Sequence, residues 1–192
     1  MAVREATQLA RMRASQAACL IFIEDGTDLT IAELASRIGL NERTFYRYFA
    51  RREEVIRPVL EAGIELMEEI FRTAAKDRPL TDVALEGFRN SMWGDHADKT
   101  RRLVPLLLAD PALNQVWLST IRDFERVILA PIANRIDEPE NSLRAMVVAG
   151  AIVTASRVSF EHMAAHGTDP VETFAQALAI LEQGLPGAAA AG

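Results

Sequence analysis

The chain has 192 residues, 49% hydrophobic and 25% charged, with 21 basic and 27 acidic side chains and a formal net charge of -6. That balance describes a globular protein able to bury a core in one or two small domains, and it excludes disorder over most of the length. The single Cys19 excludes an internal disulfide and fits a reducing compartment; it falls in an apolar run and reads as a small core residue in preference to a reactive thiol.

Nearly every segment carries a helical period, and none shows the alternation of a strand. In the first helix Ala10, Ala14, Ala17 and Ile21 recur at helical intervals up to a stop near Gly26. Arg4, Glu5, Arg11 and Arg13 interrupt its start, so it reads as neither signal peptide nor membrane anchor, and the expected location is the cytoplasm. "TIAELASRIGL" follows. Thr30 and Glu33 have capping-box spacing, Ile31, Leu34, Ala35 and Ile38 form an apolar stripe, and Gly39 ends the helix. Asn41 caps another helix two residues later, and so tight a joint predicts a steep crossing, the helix-turn-helix unit.

A long amphipathic helix runs through "RREEVIRPVLEAGIELMEEIFRTAAK", with Pro58 either kinking it or marking its start. Residues 77–79 close it, and Thr81 is expected to cap the next helix, which reaches about Asp95. "GDHADK" reads as a polar loop, and Asp98 is a candidate cap for "KTRRLVPLLLAD". Pro111 opens a long helix ending at Arg135. "DEPENS" separates it from a helix starting at Leu143, whose uncharged stretch, residues 145–156, is shorter than the roughly 20 residues a bilayer span requires. "HGTDP" breaks to a last helix with Pro170 in its first turn, and "PGAAAAG" reads as a tail.

Charge is unevenly placed. Residues 1–57 hold nine basic and eight acidic side chains, against twelve and nineteen in residues 58–192, so only the N-terminal third suits a polyanion. On a helix at about 100° per residue, Phe45 and Phe49 share one side, with Leu40 and Tyr48 near its edge, while Arg43 and Arg47 lie opposite, flanked by Thr44 and Tyr46. Alone, this helix reads as amphipathic with solubilising arginines. Behind the capped helix and the Gly39 turn, it reads as a helix for a major groove, its arginines aimed at base edges and its hydroxyls at phosphates.

"LTIAELASRIGLNERTFYRYFARREEV" resembles the DNA-binding signature of the TetR family of bacterial transcriptional regulators. The match extends over residues 13–57 when Arg13, Phe22 and Gly26 are included, and is most specific at Thr30, Ala35, Gly39, Thr44, Tyr46, Tyr48 and Phe49. The resemblance implies that Glu42, Arg43 and Arg47 read bases and that Thr44, Tyr46 and Arg52, with Thr30 and Tyr48, meet phosphates. Ile38 stands where the family has alanine, Asn41 where it has serine, and Ala50 and Arg51 replace a Pro-Ser pair, which puts the cap of the fourth helix in doubt.

A single recognition helix covers few base pairs, so a homodimer on a palindromic, double-stranded operator is expected. The interface is expected on the last two helices, from Met146, Val147, Ile152 and Val153 on the first and from Phe174, Leu178 and Leu181 on the second, where Val171 and Leu185 complete the seam. The resemblance further implies an effector pocket in the larger domain. Its candidate lining is Met67, Phe71, Phe88, Met92, Trp93, Trp117 and Phe124 with Arg89, His96 and Arg122, although each apolar member alone reads as core. His162 and His166 have the spacing of a metal clamp but lack a third ligand, so they read as surface histidines, and no metal or cofactor is expected. No glycine-rich phosphate loop or nucleophile elbow is present, and "EHMAAH" lacks the order of a zinc protease motif.

The expected fold is all-α, with a helix-turn-helix DNA-binding domain over residues 1–52, a helical effector-binding and dimerisation domain over 53–186, and a tail over 187–192. The expected function is ligand-responsive transcriptional regulation, as a repressor released by a small molecule in the family's manner; the competing class is a helical ligand-binding protein or enzyme without DNA function, which leaves Arg43, Arg47 and Tyr46 without a purpose.

Overall fold

A computed structural model describes residues 2–92 and 95–184, and the expected tail lies outside them. Among the described residues the chain is helical, without strands: α1 (Ala2–Asp25), α2 (Ile31–Arg37), α3 (Glu42–Tyr48), a 3-10 turn (Arg52–Ile56), α4 (Arg57–Thr73), α5 (Leu80–Ser91), α6 (Asp95–Ala109), α7 (Pro111–Arg135), α8 (Leu143–His166) and α9 (Pro170–Gln183). The helices group into two compact units, residues 1–64 with 94–120, and residues 65–93 with 121–192.

In the first unit α1 packs against α2, the 3-10 turn and α6. Its buried face is Ala14, Ser15, Ala18, Cys19 and Phe22; of the expected Ala10, Ala14, Ala17 and Ile21 stripe only Ala14 is buried and the others are half-buried, because the fully buried Phe22 and the small residues beside it turn the helix toward the core. The Ser15 hydroxyl donates to the carbonyl of Val55, which ties α1 to the 3-10 turn. Burial pushes the Cys19 thiol up to about 12, consistent with an unreactive core side chain.

The expected long helix from residue 51 is divided. The 3-10 turn takes Arg52–Ile56, and α4 starts at Arg57, so Pro58 lies in its first turn, where a missing N–H costs nothing. Arg51 precedes the turn without a side-chain cap and pairs instead with Glu53 and Glu54, both at 3.2 Å. Two other boundaries also differ from expectation. Thr81 lies inside α5, which starts at Leu80 after an uncapped Pro79. The "GDHADK" segment is not a loop throughout: α6 starts at Asp95, placing Asp98 within its first turns, where acidic groups complement the helix dipole as well as a cap would.

In the second unit α9 packs against α8 and α5, and Phe88 stacks on Phe174 at 4.4 Å and meets Phe160 at 5.0 Å. Arg135 at the end of α7 donates to the carbonyls of Ala74, Ala75 and Arg78, satisfying backbone acceptors beyond the end of α4. Helix α8 is long and apolar enough to cross a membrane by length and composition. It also carries an Arg157–Glu161 ion pair and buries Ala149, Ile152, Val153 and Met163, the pattern of a core helix.

Candidate nucleic-acid interface

The interface is built on local hydrogen bonds. The Thr30 hydroxyl accepts from the Glu33 amide at 3.2 Å, and the Glu33 carboxylate accepts from the Thr30 amide at 2.9 Å, which completes the capping box. These bonds, led by the Thr30 side chain, lower the Glu33 pKa from its ordinary value. At the other end of α2, Gly39 adopts φ 74°, its amide bonds to Ser36 O at 3.2 Å and that of Leu40 to Ala35 O at 2.8 Å. This is a Schellman stop, and it requires the left-handed residue that glycine supplies at little strain. Asn41 then accepts from the Thr44 amide at 2.8 Å and starts α3.

With both helices fixed, α3 shows two opposed faces. Phe45 and Phe49 are buried, 5.3 Å apart, and the Arg11 guanidinium lies 5.9 Å from the Phe49 ring. Glu42, Arg43 and Arg47 are exposed, Tyr46 is 53% exposed, and Thr44 and Tyr48 are half-buried. Tyr46 sets its ring edge-on to Phe45 at 6.1 Å, which holds an aromatic stem at the core and leaves the phenol outward. The Arg47 guanidinium lies 5.1 Å from the Tyr48 ring and donates to its hydroxyl at 3.4 Å. Arg47 is therefore braced, while Arg43 projects from the start of α3, the end that enters a groove most deeply in this motif.

Two of the expected phosphate contacts are otherwise engaged. The Thr30 hydroxyl donates to Glu33 at 2.7 Å as part of the cap. Arg52 points inward, donating to the carbonyls of Thr27 and Leu29 and to Asp110, its side chain 22% exposed. Sequence reasoning missed Asp110 altogether. Its one local signal was the Asp-Pro step that starts α7, where Asp110 accepts from Ala112 N at 2.9 Å and Leu113 N at 3.2 Å.

Of the expected pocket residues, Met67, Phe71, Phe88, Met92 and Phe124 are buried in the second unit, whereas Arg89 and Arg122 are exposed. Trp117 is buried and belongs to the first unit. Trp93 and the side chain of His96 lie outside the described residues. The expected interface residues divide likewise. Met146, Val147 and Leu181 are exposed, but Ile152, Val153, Phe174 and Leu178 are buried by their own chain and form part of its core. Leu143, Val158 and Ile180 join the exposed set, and Leu185 lies outside the described residues. The His162 and His166 rings are 4.4 Å apart, with His162 Nδ1 3.0 Å from Thr168 Oγ1. No group of three or more His, Cys, Asp or Glu able to hold a metal occurs among the described residues.

Residues 16–59 match the model of bacterial regulatory proteins of the tetR family, and residues 80–186 match that of the MftR C-terminal domain, itself a TetR-type C-terminal model. No curated protein matches. Among solved structures, Thermus thermophilus FadR, described as a TetR family transcriptional repressor in complex with lauroyl-CoA, is 22% identical with a TM-score of 0.61, over 95% of this chain and 98% of its own. NalD of Pseudomonas aeruginosa, the secondary repressor of the MexAB-OprM multidrug efflux pump, is 17% identical with a TM-score of 0.61, over 96% and 98%. Salmonella enterica GusR is 18% identical with a TM-score of 0.59, over 90% and 95%. Those identities carry the fold alone; the two family models, whose matches lie on the helix-turn-helix and on the helices after it, carry the kinship. The chain belongs to the TetR family, and is a DNA-binding transcriptional regulator, not an enzyme.

Proposed function

We propose that the protein is a dimeric repressor that reads a palindromic operator with α3 and is released from it by a small-molecule effector. The observation that carries this reading is the division of α3, with Phe45 and Phe49 buried and Arg43, Arg47 and Tyr46 outward. Arg43 is assigned to base edges, where an arginine can donate twice to guanine O6 and N7. Glu42 and Arg47 lie beside it, with Arg47 held by Tyr48, while Thr44 and Tyr46 are assigned to phosphates. FadR and NalD, similar in fold, are described as repressors, which supports the sign of regulation proposed.

The partner is a second copy of the chain. The proposed contact uses the exposed apolar residues of α8 and α9, namely Leu143, Met146, Val147, Val158, Ile180 and Leu181. A two-fold arrangement matches a palindrome, with recognition helices about 34 Å apart to enter successive major grooves. Release requires an effector that binds the non-operator spacing more tightly than the operator-bound one. The second unit, rich in buried Met and Phe side chains, suits an apolar effector. The cytoplasm is the proposed location.

Selection of operators from fragmented genomic DNA tests this reading. It predicts recovery of a short inverted repeat that purified protein binds as a dimer and leaves when the effector is added. Recovery of no shared sequence, or equal operator affinity with and without a proven ligand, contradicts it.

A further inference from the structure

The first unit contains more than the DNA-binding helices: α6 and the first part of α7 belong to it. Side chains on both sides of the intervening segment fasten these parts together. Arg52, at the start of the 3-10 turn, forks to three acceptors. Its Nη1 donates to the Thr27 and Leu29 carbonyls in the α1–α2 turn, and its Nη2 donates to Asp110 Oδ2 at 3.1 Å. Asp110 divides its two oxygens, with Oδ1 capping α7 through the Ala112 and Leu113 amides and Oδ2 taking Arg52. The two side chains are 22% and 15% exposed, so water competes little for these bonds.

A second clamp runs alongside. Arg57, at the start of α4, donates to Ser119 Oγ at 2.9 Å, to Thr120 Oγ1 at 3.5 Å and to Glu54 Oε2 at 2.6 Å. Arg52 and Arg57 therefore both face the α6–α7 part of the unit, unlike Arg51, which pairs with Glu53 and Glu54, and unlike the exposed Arg43 and Arg47 on α3.

We propose that Arg52 and Asp110 are a positioning pair: they fasten the α6–α7 corner to the α1–α2 turn and so set the presentation of α2 and α3 to DNA, and Arg52 does not itself touch a phosphate. The geometry favours this role because a phosphate-binding arginine must bring its fork to the solvent, and this fork is occupied by two carbonyls and a carboxylate. Only arginine can serve three acceptors in this plane; a lysine at the same place retains the charge and loses the fork. The consequence for regulation is that a displacement of the α6–α7 corner reaches the helix-turn-helix without passing through α4.

The inference rests on the DNA-binding reading, and operator titrations over a range of salt separate the two. Arg52→Gln, Arg52→Lys and Asp110→Asn are compared with wild type on the selected operator, at a temperature where circular dichroism shows each fully folded. Asparagine still caps α7, which protects the fold of the last variant. The expected result is a loss of operator affinity of roughly 3- to 30-fold in all three, as for residues that modulate coupling without touching ligand. The slope of log affinity against log salt stays at the wild-type value, and the double variant Arg52→Gln/Asp110→Asn is no weaker than either single one.

Three results overturn the proposal. In the first, Arg52→Gln lowers the salt slope by about 0.9, the value for one phosphate contact, while Arg52→Lys and Asp110→Asn bind like wild type. In the second, every variant binds like wild type, so the pair is idle. In the third, the losses in the two single variants add, so the residues act apart. A wild type that binds no selected DNA instead overturns the proposed function, and this inference with it.

Discussion

Arg43 and Tyr46 share a helix but meet DNA differently in this account. Arg43→Ala removes donors from a base edge, so discrimination at one operator position falls by about 1–3 kcal/mol, measured by titrating operators altered at single positions. Tyr46→Phe removes one phenolic donor, assigned to phosphate, and weakens all of those operators alike. Behind this face, Phe45 is fully buried and Phe45→Ala leaves a cavity, costing about 3–5 kcal/mol in urea unfolding. The two-faced character of α3 was legible because it depends on spacing within nine residues. Arg52 was not, because its partner Asp110 stands 58 positions away and only folding brings them together.

Asp110 also makes stability depend on pH. Burial alone raises its pKa, but the amides of Leu113 and Ala112, the Thr27 side chain and the Arg52 charge outweigh it and leave the carboxyl below its ordinary value. Glu54 is lowered as well, chiefly by its hydrogen bond from Arg57. A depressed folded pKa means that the unfolded state takes up protons first as pH falls, so this stabilisation is complete above the unfolded carboxylate range, about 3.9–4.3, and is lost below it. Thermal midpoints of wild type should therefore fall more steeply than those of Asp110→Asn as pH drops from 5 to about 3. Parallel curves contradict the assignment.

At the scale of elements, the start and stop of α2 were the most legible features, since a capping box and a glycine stop need only residues a few positions apart. Thr30→Ala should lower stability by about 1 kcal/mol, and Gly39→Ala by about 1–2 kcal/mol from the left-handed backbone it must keep, both measured by chemical unfolding. The start of α6 was not legible. Asp95 and Asp98 are equally plausible near a helix N-terminus, and the apolar residues that α6 buries, Leu103, Val104 and Leu107, lie too far along it to mark the start. The buried face of α1 was misplaced for a related reason. Alanines define no strong stripe, and Phe22 sets the rotation by reaching the core.

For the whole molecule, periodicity identified α8 and α9 as apolar without saying which of their residues face inward. The structure assigns Ile152, Val153, Phe174 and Leu178 to the core and leaves Met146 and Val147 outside. Placing a carboxylate at the centre of the proposed subunit contact should divide the dimer, so Val147→Glu is expected to sediment as a folded monomer and to lose tight operator binding. A Val147→Glu protein that remains dimeric on the operator contradicts that contact. The effector site is the least legible part, because a buried phenylalanine that packs a core and one that lines a pocket have the same sequence signature.

The central claim, that the outward face of α3 reads a major groove, is tested most directly by dimethyl sulfate protection of guanine N7 in the selected operator. The account predicts protected guanines in two half-sites about one helical turn apart, with Arg43→Ala losing protection at one symmetric pair while the protein remains bound. Bound wild-type protein that leaves every guanine N7 open to methylation contradicts it.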